Sequence, residues 1–407
     1  MNYRVYDPAK DKAAALRIWQ ETGWVKSDNT KSMDFLVDTG RTIVVDVGGE
    51  PECLVVSLLG DIDYAGRKLS FSLIAATTTS LLARQQNIAS YLTAEKIALD
   101  AHAGAAVCGL GMFDQGYYDR LGFGSGSYEH IIHFTPSTLK IAEKPRTPRR
   151  LTCEDWSLVH QSRIKRLRVH GSCILSHEAT RNEMYSATDG FGFGYLDRAG
   201  ELTHHFWLRG KGREQGPLNI NWFVYRNYDQ LLELLALLKS FGDQIKLVTM
   251  IEPPHIQFQD FLSKPFHHRA ISHKSTFQNT IYATAFWQMR ICNLEKCLAI
   301  TSLSGETVRF NLTLEDPITS FLCHNSPWQG ISGDYIITLG SSSTAEKGSF
   351  PDLPVMKASV GAFTRMWLGV CSATSLAVSD ELSAPGSLLD KLDALIRLPV
   401  PRPDWDF

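Results

Sequence analysis

Over the first 145 residues the spacing of hydrophobic and polar residues changes several times, and each change marks the start of a predicted helix or strand. Asp7 followed by Pro8 is typical of a helix start, with apolar residues at helical spacing behind it. Strand-like runs then occupy residues 42–47, 52–59 and 68–79. A helical pattern from Ile88 and a short apolar run over 105–112 come next. This order predicts an α/β sandwich made by residues 1–145.

Two further regions follow a segment rich in Pro and Arg, residues 142–150, which predicts a connector. Thr152 and Asp155 predict a capping box, and residues 190–210 predict a hairpin. A strand, a helix and another strand then repeat the first fold loosely over 146–285, although the junction RNYDQLL has no glycine. Strands and a polar loop make up residues 286–407. The sequence therefore predicts an α/β (α+β) chain of three domains with these limits.

The charge balance excludes partners that need a strongly charged surface. The 407 residues include 41 basic and 43 acidic ones, so we expect neither a nucleic acid nor a membrane as partner. No apolar run is long enough to span a bilayer, and the N-terminal residues lack a signal-peptide pattern. We therefore expect a cytoplasmic protein.

Cysteine and histidine residues do not form a metal-ligand pattern. The eight cysteines include no C-x-x-C pair, and they predict buried free thiols. The segment FHHRAISH, residues 266–273, contains three histidines but no carboxylate or cysteine at ligand spacing, so a surface or edge strand is the favoured interpretation. We expect no metal.

The segment ARQQNIA, residues 83–89, lies between a predicted strand and a predicted helix, where phosphate-binding loops occur. The first turn of a helix offers several N–H groups and a favourable dipole to an anion. Asn87 stands where glycine is usual, and asparagine is the best substitute for glycine in a left-handed conformation. Arg84 can add a charged hydrogen bond, and Ala89 allows close approach. A plain strand-to-helix connection is the alternative interpretation.

Two motifs resemble those of the GNAT acetyltransferases. Arg84-x-x-Asn87-x-Ala89 is similar to their acetyl-CoA loop, R/Q-x-x-G-x-G/A, and QGYYDRLGFG resembles the late tyrosine segment of the Eis (enhanced intracellular survival) branch. FWQMRICNLEKCLAI and the terminal PDWDF resemble the start and end of that family's third domain. The resemblance covers essentially the whole chain. It implies two GNAT-like domains, a sterol-carrier-like third domain and a hexameric assembly.

The resemblance also assigns roles to individual residues. It implies an N-acetyltransferase that moves an acetyl group from acetyl-CoA to a primary amine of an aminoglycoside, a polyamine or a lysine side chain. Tyr118 matches the general acid, the carboxylate of Phe407 matches the base, and Asp406 matches an acidic residue near the amine. The acetyl-CoA positions are Thr77, Thr79, Arg84, Gln85, Asn87, Ile88 and Ala89. An aromatic packing residue, and a frayed chain end, are the alternatives for Tyr118 and Phe407.

The sequence departs from the family pattern at the loop. Leu81 replaces a proline, Gln85 and Gln86 replace basic residues, and Asn87 replaces the glycine. Because the loop has fewer cations, we expect it to attract phosphates more weakly, by about 1 kcal/mol per lost contact. The alternative function is therefore a catalytically inactive GNAT scaffold that binds a ligand or a protein. A lipid carrier would need a large apolar tunnel in residues 286–407.

Overall fold

The computed structural model describes residues 2–25, 30–37, 39, 41–186, 189–209 and 214–405. Its helices are α1 (Pro8–Glu21), α2 (Lys31–Val37), α3 (Ile88–His102), α4 (Gln115–Asp119), α5 (Trp156–Ile164), α6 (His177–Ser186), α7 (Tyr228–Ser240), α8 (Leu294–Ala299), α9 (Val360–Trp367), α10 (Ala373–Ser379) and α11 (Gly386–Leu395). Short 3-10 turns lie at Pro136–Thr138, Cys153–Asp155, Phe258–Phe261 and Pro317–Phe321.

The strands form three sheets and a separate hairpin. They are β1 (Arg4–Val5), β2 (Ile43–Val47), β3 (Glu50–Tyr64), β4 (Arg67–Thr79), β5 (Val107–Gly111), β6 (Gly124–Ser125), β7 (Glu129–Phe134), β8 (Arg149–Leu151), β9 (Cys173–Leu175), β10 (Phe191–Leu196), β11 (Leu202–Leu208), β12 (Leu218–Val224), β13 (Val248–Ile251), β14 (His268–Ala270), β15 (Thr276–Gln278), β16 (Thr280–Thr284), β17 (Trp287–Ile291), β18 (Val308–Glu315), β19 (Gly333–Leu339), β20 (Thr344–Lys347), β21 (Val355–Ser359) and β22 (Leu382–Ser383). The mixed α/β class predicted from the sequence is confirmed.

The start of α1 shows how local sequence specifies an element. Asp7 has extended backbone dihedrals and its carboxylate accepts a hydrogen bond from the N–H of Ala9, while Pro8 occupies the first helical position. The predicted capping box is also present, with the side chains of Thr152 and Asp155 both engaged. These local signals therefore predicted the helix starts correctly.

Strands from all three regions contribute to the first sheet, which has the order β1-β2-β3-β4-β5-β17-β6 with β9 on β3. The strand β17 pairs antiparallel with β5 from Trp287 opposite Gly111 to Ile291 opposite Val107. The second sheet, β16-β7-β13-β12-β11-β10-β8, includes β7. Sheets therefore share strands across the predicted domain limits at residues 145 and 285. The third sheet, β20-β19-β18-β21-β22, lies within residues 308–383.

The largest buried cluster joins the first sheet to the third. It includes Phe71 of β4, Trp287 and Met289 of β17, Phe310 of β18 and Phe363 of α9, each with at most 1% of its surface exposed. Burying apolar surface contributes about 25 cal/mol per Å². This shared core packs the first sheet, which includes β17, against the third sheet.

A buried ion pair lies at the same junction. Arg290 of β17 and Asp316 are both fully buried, with 2.6 Å between Nη2 and Oδ2. A second Arg290 nitrogen, Nη1, donates to the carbonyl of Leu121, and Asp316 Oδ2 also accepts the N–H of Ile331 at 3.0 Å. The pair therefore connects the segment after α4 to the third region.

The cysteines are free, as predicted, and five of the eight are buried. The prediction of burial is wrong for Cys323, which is exposed because it lies in the irregular segment after the turn Pro317–Phe321. Residues 268–270 form an exposed hairpin strand, in agreement with the surface interpretation of the histidine segment. In the described ranges, no group of three or more His, Cys, Asp or Glu residues could hold a metal. Among these same ranges, no helix has the length and apolar character that crossing a membrane requires.

We expect Arg290→Met to destabilise the protein strongly, because it leaves the Asp316 carboxylate buried without its cation. Removing one partner of a buried pair costs about 3–5 kcal/mol. The urea midpoint measured by circular dichroism should fall clearly. The exposed pair Lys12–Asp34, 2.8 Å apart with side chains 51% and 33% exposed, gives the control. Lys12→Ala should cost less than about 1 kcal/mol. Equal shifts for both variants would contradict this account.

Candidate functional site

The strand β4 carries a bulge and separates from β5 at one end of the first sheet. Its parallel register with β5 ends at Leu73 opposite Gly109. On the other side, the register with β3 shifts between Leu54 and Val56, and Ala76 adopts a left-handed φ of 49°. A bulge bends a strand and removes pairing locally. Residues 74–79 therefore present a backbone edge that the described part of β5 does not cover.

The loop after β4 brings a helix N-terminus to this edge. Asn87 precedes α3 with φ 58° and ψ 11°, in the left-handed region that asparagine tolerates better than other non-glycine residues. Gln85 has a φ of 63° in the same region. The first N–H groups of an α-helix have no acceptor within the helix. The N–H groups at the start of α3 can therefore bind an anion, and the positive end of the helix dipole favours it.

Two arginines and one glutamate determine the charge near this loop. Arg84 and Arg120 are exposed and line the cleft beside it. Nη2 of Arg120 lies 3.4 Å from the Ser90 hydroxyl in the first turn of α3. The Glu21 carboxylate accepts the N–H of Leu81 at 3.3 Å. The sequence motif contained Arg120, but the spacing of the motif did not indicate that it would lie beside the loop.

Tyr118 lies on α4, a single turn of helix that follows β5. Asp114 caps this helix and accepts the N–H of Tyr117 at 3.3 Å. The Tyr118 side chain is buried, and the ring of Tyr117 packs edge-on against it at 4.8 Å. Burial raises the pKa of Tyr118 to about 12, with smaller increases from Tyr117 and Asp114 and an opposing hydrogen bond with Thr77. This phenol therefore remains protonated at neutral pH, and Thr77 of the β4 edge contacts it.

The edge, the loop and the tyrosine line one cleft of about 880 Å³. The cleft is closed by residues that the sequence analysis did not select: Glu183 and Asn182 of α6, Trp24 after α1, and Arg209 after β11. The helix α6 belongs to the second region and follows β9, which pairs with β3. This long-range pairing brings α6 to the cleft, and no local pattern reveals such a pairing.

The structure brings together all the predicted site residues that it describes. Lining this cleft are Thr77, Thr79, Arg84, Gln85, Asn87, Ile88, Ala89 and Tyr118. Phe113 also lines this cleft and is 86% exposed. Asp406 and Phe407 lie outside the described residues. The last described residue is Trp405, which is buried.

Comparisons with known proteins identify the fold. No protein-family model matches the chain, and no curated protein matches its sequence. Solved structures match over the full length. A probable N-acyltransferase from Enterococcus faecalis V583 matches with a TM-score of 0.79 and 16% identity, covering 100% of this chain and 99% of that one.

Two further structures match with the same coverage of both chains, 100%. A GCN5-related N-acetyltransferase from Anabaena variabilis has a TM-score of 0.79 at 12% identity. Eis1 from Mycobacterium abscessus has a TM-score of 0.76 at 15% identity. These similarities extend over the whole chain. The chain therefore has the fold of the Eis-like GNAT N-acetyltransferases.

Proposed function

We propose that this protein transfers an acetyl group from acetyl-CoA to a primary amine by direct attack. The observation that carries the proposal is the single cleft in which an uncovered strand edge, a helix N-terminus preceded by a left-handed Asn87, and the phenol of Tyr118 meet. The strand edge can pair with an amide-bearing chain, the helix N-terminus can bind phosphate, and the phenol can donate a proton. The full-length fold similarity to N-acetyltransferases supports it.

Acetyl-CoA would bind along the strand edge and the loop. Backbone groups of Thr77 and Thr79 would pair with the amides of the pantetheine arm, as an added strand pairs with a sheet edge. The N–H groups of residues 87–89 would bind the pyrophosphate, with Arg84 supplying a charge-assisted hydrogen bond. Arg120 adds a second cation near the loop and partly offsets the basic residues that Gln85 and Gln86 replace.

In the reaction the amine nitrogen attacks the thioester carbonyl carbon, so a C–N bond forms and the C–S bond breaks. The departing thiolate takes the proton of the Tyr118 phenol, and the amine gives up one proton to a base. Asp406 is proposed to attract the amine as its cation, which loses one proton to solvent before the neutral nitrogen attacks, and the carboxylate of Phe407 is our proposed base for the second proton. A positioned acid or base contributes about 10²–10⁴ in rate. Aminoglycosides, polyamines and lysine side chains are the proposed amines.

Asn87→Val should weaken acetyl-CoA binding, whereas Asn87→Gly should leave it unchanged or slightly stronger. A β-branched residue is strained in the left-handed region by about 1–2 kcal/mol, whereas glycine is not. Calorimetric titration should therefore show a loss of roughly tenfold in affinity for the valine variant alone. Equal affinities for all three proteins would show that the Asn87 conformation does not support the phosphate site.

Tyr118→Phe should lower kcat by about 10²–10⁴ with little change in KM for acetyl-CoA. Tyr117→Phe removes a phenol one residue away and should retain most of the rate. Since the pKa of Tyr118 is raised to about 12, the acid stays protonated through pH 10. The wild-type rate should therefore rise as the amine deprotonates and should not fall near pH 10, where an ordinary phenol ionises. A Tyr118→Phe enzyme with wild-type kcat would exclude this role.

A short extension after Phe407 should suppress turnover, because it converts the terminal carboxylate into a peptide bond. Affinity for acetyl-CoA, measured by calorimetry, should stay the same, since the loop and strand edge are unchanged. Turnover should be tested with an aminoglycoside, a polyamine and a lysine peptide. The same extension fused to the N-terminus provides the control. Undiminished turnover with the C-terminal extension would assign the base to another group.

A further inference from the structure

The second sheet repeats the separation of strands that forms the cleft of the first. The parallel strands β12 and β13 pair at Leu218 opposite Val248 and at Asn219 opposite Thr249, and their described pairing extends no further. Beyond these pairs a cavity of about 200 Å³ opens between them, lined by residues 220–223 and 250–254. We call this region the second split. The junction at its helix, RNYDQLL, differs from the first loop: Asn227 is extended instead of left-handed, and the arginine precedes this asparagine directly instead of by three residues.

The C-terminal segment, residues 401–405, lies along the second split. Arg402, Asp404 and Trp405 line its cavity. Backbone and side-chain hydrogen bonds fix the segment at successive residues: Ser127 Oγ to Pro401 O at 2.6 Å, Arg402 N to His170 O at 2.9 Å, Cys173 N to Pro403 O at 2.8 Å, and Arg166 Nη2 to Asp404 O at 3.0 Å. The segment is therefore attached to both the first and the second regions.

The close fit of this segment depends on Gly171. Its φ of 87° disfavours any residue with a side chain, and an added Cβ would lie 2.6 Å from the backbone nitrogen of Arg402. Asp404 has a φ of 50°, and its carboxylate lies 2.6 Å from Nε of the buried Arg166. The backbone therefore turns at Asp404 in a conformation that an ion pair holds.

Arg163 of α5 forms the final attachment. Its guanidinium carbon lies 3.9 Å from the centre of the Trp405 ring and 4.2 Å from that of Trp222, so the cation contacts both aromatic rings. Only 2% of Arg163 is exposed. Its Nη1 lies 2.7 Å from the carboxylate of Glu183, which lines the first cleft. One buried cation thus connects the last described residue to the wall of the proposed active site.

We infer that the second split holds the chain's own C-terminal segment in place of a cofactor, and that Arg163 is the positioning residue that fixes Trp405. Trp405 is then the fixed point from which Asp406 and Phe407 continue, and two residues span at most about 7 Å. Cation–π contacts strengthen when the cation is removed from water, as Arg163 is. The second GNAT-like unit therefore serves the reaction by orienting the chain end.

Digestion with carboxypeptidase Y tests the attachment without reference to activity. In the wild-type protein, mass spectrometry should show that the protease does not release Trp405, because this residue is buried and stacked. In Arg163→Met, Trp405 and Asp404 should be released about tenfold faster or more. Lys165→Ala removes an exposed pair with Glu201 at the end of the same helix and should behave as wild type.

A second variant tests the attachment if Arg163→Met does not fold. Gly171→Ala should also accelerate release, since its new methyl group displaces the segment while the Arg163 pair remains. Circular dichroism must show that the variant folds. Trp405 release at the wild-type rate in folded Arg163→Met or Gly171→Ala, or rapid release of Trp405 from the wild type, would overturn the inference that this attachment holds the segment.

Kinetics then test the positioning role, which rests on the proposed function. Arg163→Met should lower kcat about tenfold or more in the full chain and leave KM for acetyl-CoA unchanged. In a chain ending at Trp405, the same substitution should cause no further loss of kcat, because the group that it positions is gone. Equal losses in both chains would overturn the positioning role. A wild-type protein without turnover would refute the proposed function, while the digestion result would still decide whether the segment is attached.

Discussion

The separation of β4 from β5 after Leu73 is the constraint on which the site depends. If β4 and β5 stayed paired to their ends, the backbone groups of residues 74–79 would be hydrogen-bonded to β5 and the cleft would be closed. The bulge at Ala76 turns β4 away, and the following loop then places α3 with its N-terminus at the opening. The phenol of Tyr118, which follows β5, lines the same cleft as Thr77. One local irregularity thus brings together a strand edge, a helix N-terminus and a buried phenol.

The third region keeps this separation open from the opposite side. Its strand β17 pairs with the far edge of β5, and Arg290 ties that strand to Asp316 and to the carbonyl of Leu121, three residues after Tyr118. The second region contributes α6 to the cleft wall through β9. Residues of the first and second regions therefore line the cleft, and the third region supports it through β17.

Much of this organisation could be predicted from the sequence where local chemistry decides it. Asp7 and Pro8 specify a helix start, and Asn87 marked a left-handed position that the structure contains. The bulge at Ala76 could not be located, because it arises from a register mismatch between two long strands. The insertion of β17 into the first sheet and the position of α6 at the cleft depend on strand pairing between distant segments. A short stretch of sequence therefore contains no pattern that predicts them. The burial of Arg163 also depends on distant partners, because Trp222 and Trp405 lie far from it in the sequence and cover its guanidinium.

A crystal structure of the protein grown with CoA would show whether this cleft binds the cofactor. We expect the pantetheine arm beside Thr77 and Thr79, the pyrophosphate at the N–H groups of residues 87–89, and the sulfur within hydrogen-bonding distance of the Tyr118 hydroxyl. CoA bound in the second split, or a cleft that stays empty at saturating CoA, would contradict it.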